Sequence, residues 1–159
     1  MNLNSIHSVL IIAHAAAATI CFLAGCLLIF VPTYTSNQGL FSLYWWSLTG
    51  MVVLLVGAIL VHWTKFSTTE RIVFPGLLVL GIYMIFRARS ANQIFRNQQN
   101  HWIHNFIEHI GFTLISLFEG FIIVSGLNSG LPSWLVAVVA ILGVLVGRWA
   151  VGFAQRRIV

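Results

Sequence analysis

Residues 101–119 read HWIHNFIEHIGFTLISLFE and place three histidines and two glutamates in a segment apolar enough to cross a bilayer. At about 100° per residue, its polar members fall within an arc of roughly 140°, and the opposite side is apolar. These members are His101, His104, Asn105, Glu108, His109, Ser116 and Glu119. Ionisable groups are costly in hydrocarbon and normally face a bundle interior, a cavity or a partner. We therefore predict a membrane-spanning helix whose polar flank carries function.

The composition of the whole chain predicts the same class of protein. Hydrophobic residues make up 59% of the 159 residues and charged residues 7%, and the mean hydropathy is +0.95. This number of charged residues is too small to cover the surface of a soluble protein. We therefore predict an integral membrane protein in contact with the lipid bilayer. The net charge of +5 is interpreted as a topology signal and an attraction to anionic headgroups, not as a nucleic-acid footprint.

Five apolar runs predict an all-α membrane protein with five transmembrane helices in one bundle. The predicted helices lie at about 6–31, 42–63, 71–88, 103–126 and 132–152, within a single domain covering residues 1–159. Each run is long enough to span about 30 Å of hydrocarbon at about 1.5 Å per residue. The polar segment 87–100 is predicted as the longest connection.

The basic residues predict the orientation of this bundle. One side collects Arg87, Arg89, Arg96, Arg156 and Arg157. The other side has only Lys65 and Arg71. Because Lys and Arg are retained in cytoplasmic segments, we predict an outside N-terminus and a cytoplasmic C-terminus, in a bacterial cytoplasmic (inner) membrane.

Small-residue patterns predict how the helices approach one another. Gly143-x-x-x-Gly147 in the fifth run is a close-approach pattern, which we assign to packing inside the monomer. Three contacts are sterically allowed at the predicted depths, namely Glu108 with Arg148, Glu119 with His14, and His7 with His62.

Three chemistries use residues of the types found here. A b-type haem needs two imidazoles at matching depth on facing helices. The candidates are His7 or His14 with His62 at the outer end. At the inner end they are His104 or His109, with no obvious partner at that depth.

A metal site and a proton path are the other two chemistries. His101, His104 and Glu108 have the spacing i, i+3 and i+7, so their side chains converge on one helix face with a position left open. A proton or ion path needs a ladder of titratable groups through the membrane. The residues available for that ladder are Glu108, His109, Glu119 and His14.

The competing interpretation is that these polar groups only hold helices together. Interhelical hydrogen bonds in membranes contribute about 0.6 kcal/mol on average, far less than a buried unpaired charge costs. Two carboxylates are therefore a poor choice for packing alone. The chain has no Gly-x-Ser-x-Gly, no His-Glu-x-x-His, no phosphate-binding glycine loop and no aspartate, which argues against hydrolytic and ATP-driven chemistry.

Several stretches resemble known membrane proteins. They are IIAHAAAATICFLAG, SLYWWSLTGMVVLL, GIYMIFRARSA, HNFIEHIGFTLISLFEGFIIVSG and LPSWLVAVVAILGVLVGRW. Together these stretches resemble a family of small bacterial multi-pass proteins of unknown function, and the histidine-bearing helices are similar to those of cytochrome b561-type bundles. The resemblance rests chiefly on His14 and His104 and implies bound haem. Phe41, Ser42 and Leu43 occupy the place near the second helix where that pattern would have a further histidine.

The sequence leaves three functions open. The first is electron transfer through a bound b-type haem or quinone, with His14 and His104 as ligands and Glu108 and Glu119 handling protons. The second is a non-catalytic subunit docked against other membrane subunits of a larger complex. The third is a small proton-coupled permease.

Overall fold

Five long helices make up the chain in a computed structural model that describes residues 3–97 and 102–158. They are α1 (Leu3–Phe30), α2 (Gln38–His62), α3 (Thr68–Asn97), α4 (Trp102–Asn128) and α5 (Ser133–Ile158). Two single-turn 3₁₀ helices, Pro32–Tyr34 and Trp63–Lys65, lie in the connections. Each of the five long helices is long and apolar enough to cross a membrane. The prediction of an all-helical chain with five candidate membrane spans is confirmed.

Side-chain caps mark where α2 and α3 begin. The Asn37 side chain accepts a hydrogen bond from the Leu40 backbone N–H at 2.9 Å. Before α3, the Ser67 backbone N–H donates to Glu70 Oε2 at 2.8 Å, and the Glu70 N–H donates to Ser67 Oγ at 3.4 Å. This reciprocal pair is a capping box, which satisfies backbone donors that have no partner in the first helical turn.

The third helix extends nine residues beyond its predicted end at residue 88, and much of the predicted connection 87–100 is helical. Met84, Ala88 and Ala91 are buried at helical spacing, and Phe95 stacks on Phe41 of α2 with ring centroids 5.4 Å apart. The polar residues of this segment indicate that α3 extends beyond the hydrocarbon layer there. The helix nevertheless continues, because one of its faces is still buried against the bundle. The fifth helix likewise continues to Ile158, beyond its predicted end at residue 152.

The first four helices surround a common core, and α5 packs on the outside. Helix α1 lies next to α2 and α4, and α3 lies next to the same two helices, while α5 packs almost entirely against α4. We call the end where α3 and α5 finish the basic end, because Arg87, Arg89, Arg96 and Arg156 lie toward it. Tyr44 and Phe106 are the largest fully buried side chains, in a densely packed core within the half nearer this end.

Glycines allow α4 and α5 to approach closely. A Cβ atom on Gly147 would lie 2.6 Å from Ile115 Cγ1, and one on Gly111 would lie 2.5 Å from Val151 Cγ2. Gly143 packs directly against the Glu119 carboxylate. The Gly143-x-x-x-Gly147 pattern therefore serves packing inside the monomer, as predicted from the sequence.

Candidate functional site

The apolar face of α4 fills the bundle core, and its polar flank lies on the opposite side. Phe106, Ile110 and Thr113 are fully buried toward α1 and α2. On the flank, Phe112 contacts Tyr83 of α3 with ring centroids 5.2 Å apart, and Glu119 contacts α5. The polar flank thus occupies the groove between α3 and α5. The part of the flank near the start of α4, with His104 and Glu108, is exposed and does not face the bundle interior. The wider apolar face of α4 occupies the core, so the polar flank points outward.

Glu108 of α4 forms an ion pair with Arg87 of α3. Its Oε1 lies 3.5 Å from Arg87 Nη2, with the Glu108 side chain 58% exposed and that of Arg87 22% exposed. The Arg87 guanidinium also lies 5.2 Å from the centre of the Phe112 ring. Glu108 therefore pairs with α3, whereas Arg148 is exposed on α5. The proposed contact of Glu108 with Arg148 is replaced by this pair.

Of the other polar residues near the start of α4, His109 lies close enough to the Arg87–Glu108 pair to interact with both charges. His104 is exposed, and its backbone carbonyl accepts a hydrogen bond from the Gln155 side chain at 3.3 Å. His109 is partly buried. His101, the third member of the proposed metal site, lies outside the described residues. Within residues 3–97 and 102–158, no three His, Cys, Asp or Glu side chains come together as a metal site.

His7 and His62 meet at the end opposite the basic end, as the predicted depths allowed. Their rings stack with centroids 4.0 Å apart and an angle of 20° between the planes. Phe66 packs beside His62 with ring centroids 5.6 Å apart. Because the two imidazoles touch face to face, they leave no space between them for a haem.

Glu119 is buried between α4 and α5. Its side chain is 7% exposed, and neither carboxylate oxygen has a hydrogen-bond partner among the described residues. The carboxylate rests on Gly143, on the α5 side of α4. The structure therefore does not bring Glu119 into the proposed contact with His14, which faces α2.

A cavity of about 560 Å³ lies between the first four helices, in the half of the bundle remote from the basic end. It is almost entirely apolar, with His14, Thr19, Ser116 and Ser125 as its polar members. Sequence patterns did not reveal this cavity. One feature of the sequence could have indicated it. Four alanines follow His14, and two of them, Ala15 and Ala18, line the cavity with small side chains.

The hydrogen bond of His14 defines its chemistry in this cavity. His14 Nδ1 lies 2.9 Å from the Met51 carbonyl oxygen. A carbonyl oxygen only accepts hydrogen bonds, so Nδ1 donates to it and Nε2 is the ring nitrogen left for a second partner. Such a bond also holds the orientation of the ring. His14 thus offers one ring nitrogen, Nε2, in a fixed orientation to anything that occupies the cavity.

The cavity opens sideways between α1 and α4. Its exposed apolar lining residues belong to these two helices, with Ile11 and Leu23 on α1 and Phe118 and Phe121 on α4. Nearer the basic end the same helices close together, since a Cβ atom on Gly25 would lie 2.6 Å from Leu114 Cδ2. In a membrane, this opening faces the lipid.

The described histidines do not fit a haem held by two imidazoles. His14 is the single imidazole of the cavity lining, and His104, its proposed partner, is exposed at the start of α4. His62 stacks on His7 and is also absent from the cavity lining. The geometry instead suits a ligand that makes a hydrogen bond with His14 in a mostly apolar site.

Comparison with protein-family models, with curated proteins and with solved structures found no match to this chain. The resemblance to cytochrome b561-type bundles therefore stays a prediction.

Proposed function

We propose that this protein binds a quinone-class lipid in its cavity and takes part in redox chemistry in the bacterial cytoplasmic membrane. One observation carries the proposal. His14, held by its bond to the Met51 carbonyl oxygen, lines an apolar cavity that opens toward lipid. A membrane-soluble ligand would reach this site without crossing water.

The size and chemistry of the cavity suit such a ligand. Small-molecule sites typically have volumes of about 300–1,000 Å³ and mostly apolar walls with a few polar groups that orient the ligand. A quinone has a flat ring with two carbonyl oxygens, which become hydroxyls on reduction. His14 Nε2 accepts a hydrogen bond from a quinol hydroxyl, and the Ser116 hydroxyl donates to a quinone oxygen. The prenyl tail leaves between α1 and α4.

Glu119 is the group that we assign to proton exchange. Reduction of a quinone takes up two electrons and two protons. Ser116 lines the cavity and lies one helical turn from Glu119, close enough along α4 for side chains at i and i+3 to meet. In this proposal the electrons come from a redox partner in the membrane. Glu108 remains the ion-pair partner of Arg87 and handles no protons.

A binding titration tests the proposal. We expect a short-chain quinone to bind the detergent-purified protein saturably, measured by calorimetry. In His14→Leu the loss of one buried hydrogen bond should weaken binding about tenfold, which corresponds to about 1.4 kcal/mol. His104→Leu is the control and should bind like the wild type. Equal affinities in all three proteins would contradict the role of His14.

The absorption spectrum distinguishes quinone from haem. A Soret band that disappears in His14→Leu would favour haem as the occupant. A colourless protein that binds quinone with His14-dependent affinity would favour the proposal made here.

The outer face of α5 favours a second candidate, the non-catalytic subunit of a larger membrane complex. This helix packs almost only on α4, and Trp149 and Phe153 stack on each other at its exposed surface with ring centroids 5.9 Å apart. A subunit role predicts that the protein reaches wild-type levels only when its complex is present, whereas a stand-alone quinone protein accumulates without it.

The buried carboxyl of Glu119 favours a third candidate, a proton-coupled permease. Carboxyl groups inside membranes commonly mark ion and proton pathways. A permease predicts proton-linked uptake in reconstituted vesicles that is lost in Glu119→Gln, and unchanged uptake in that variant would count against it.

A further inference from the structure

A second cleft lies at the basic end, far from the cavity beside His14. It has a volume of about 260 Å³ and is formed by the first turns of α2 and the last turns of α3. Its polar lining residues are Gln38, Ser42, Asn92 and Arg96, and its aromatic lining residues are Phe41, Trp45, Trp46 and Phe95. We call it the α2–α3 cleft. The proposed quinone site makes no use of it.

The acidic side chains of the chain all lie away from this cleft. Glu70 accepts hydrogen bonds from Ser67 at the start of α3, at the opposite end of the bundle. Glu108 pairs with Arg87, and Glu119 is buried against α5. The sequence has only these three acidic side chains. None of them is the counterion of Arg96, so an external anion can take that place.

The start of α2 adds to the attraction for an anion. The helix begins at Gln38, which lines the cleft. The first turn of a helix carries unpaired N–H groups and a partial positive charge, which together favour anions. The Asn37 cap engages the Leu40 N–H. A long helix that starts beside an arginine, with the Ser42 hydroxyl and the Asn92 amide alongside, supplies both charge and hydrogen-bond donors.

The aromatic wall places the cleft at headgroup depth. Trp45 is partly buried and Trp46 is 68% exposed, and both lie about two turns after α2 begins. Tryptophan at helix ends is typical of the membrane–water interface. Basic pockets between helices at that level are suited to the headgroups of anionic lipids.

We propose that the α2–α3 cleft binds the phosphate group of an anionic phospholipid, with Arg96 as its charged partner. The phosphate sits beside Arg96 and the first turn of α2. The acyl chains then lie along the apolar surface next to Trp46. Free phosphate shares the same chemistry and is the alternative source of the ligand.

Thermal unfolding in detergent tests this site with phosphatidylglycerol as the probe. We expect phosphatidylglycerol to raise the melting temperature saturably and zwitterionic phosphatidylcholine to have little effect. In Arg96→Gln the concentration giving half of the rise should increase about tenfold, equivalent to about 1.4 kcal/mol. Arg156→Gln is the matched control, since Arg156 is exposed at the same end but does not line the cleft.

Two further measurements complete the test. Inorganic phosphate that reproduces the saturable, Arg96-dependent rise would identify free phosphate as the source, whereas no response to millimolar phosphate would identify the lipid. Asn92→Asp adds a negative charge to the cleft and should weaken the phosphatidylglycerol response at least as much as Arg96→Gln. Equal responses in Arg96→Gln, Arg156→Gln and the wild type would overturn the proposal, as would equal weakening in both arginine variants.

Discussion

Glu108 and Glu119 lie on the same flank of α4, and their depth along the helix gives them different surroundings. Near the start of the helix, Glu108 reaches the surface and meets an arginine on α3. Eleven residues later, Glu119 is covered by α5 and rests on a glycine. A surface ion pair contributes little to the free energy of folding. A buried carboxyl without a partner lowers stability, and such groups inside membranes commonly have a functional role.

Replacing Glu119 should separate function from stability. Gln has nearly the same shape, and Glu119 has no hydrogen-bond partner to lose among the described residues. We expect Glu119→Gln to change the free energy of unfolding by about 1 kcal/mol or less, measured by denaturation in mixed micelles. Proton uptake coupled to quinone reduction should fall at least tenfold.

Glu108→Gln is the matched control for that experiment. It removes an exposed ion pair, so it should leave proton uptake unchanged and shift stability by about 1 kcal/mol or less. A loss of several kcal/mol in Glu119→Gln, with proton uptake intact, would assign Glu119 a purely structural role.

At the scale of helices, the contact between α4 and α5 depends on the absence of side chains. Gly143 and Gly147 let α5 lie close to α4, where Glu119 and Ile115 occupy the space. In lipid, close backbone approach replaces the hydrophobic effect as the source of helix association. Apart from Arg148 and Arg156, the exposed side chains described on α5 are apolar and can contact lipid.

Gly147→Leu should disrupt this contact. The new side chain would collide with Ile115, and overpacking typically costs about 1–3 kcal/mol. Gly152→Leu on the same helix is the control, because a Cβ atom there meets no atom within 4 Å. Unfolding in mixed micelles should show a loss for Gly147→Leu only. Equal stabilities of the two variants would contradict the packing described here.

The apolar runs predicted the existence of the five helices, but not where α3 and α5 end. The segment after Arg87 is polar enough to resemble a connection, but Met84, Ala88, Ala91 and Phe95 keep the spacing of a buried helix face. Hydropathy indicates where a helix leaves the lipid. Whether the helix continues beyond that point depends instead on how its residues pack. The same distinction explains why α5 is longer than predicted.

At the scale of the whole molecule, composition and the five apolar runs predict a five-helix membrane protein, but not which helices are neighbours. The polar arc of α4 could be read from the sequence, yet its direction depends on where α3 and α5 pack. The cavity could not be predicted, because it arises from the separation of α1 and α4 beyond the Gly25 contact. The role of His14 required its bond to Met51, which joins residues 37 positions apart.

The distribution of charge predicts the orientation of the molecule in the membrane. With five spans, the basic end should be cytoplasmic and the N-terminus outside. A fluorescent protein fused to the C-terminus should therefore fluoresce, and alkaline phosphatase fused at the same place should be inactive. An active phosphatase fusion would contradict the predicted orientation.

Co-purification of quinone tests the central claim most directly. Ala15 and its neighbour Ala16 are both exposed on α1, and of the two only Ala15 lines the cavity. Protein purified in mild detergent should carry about one extractable quinone per chain in the wild type and in Ala16→Phe, and far less in Ala15→Phe, where the new ring fills the cavity. Equal quinone content in the two phenylalanine variants, or none in the wild type under conditions that preserve bound lipid, would contradict the account.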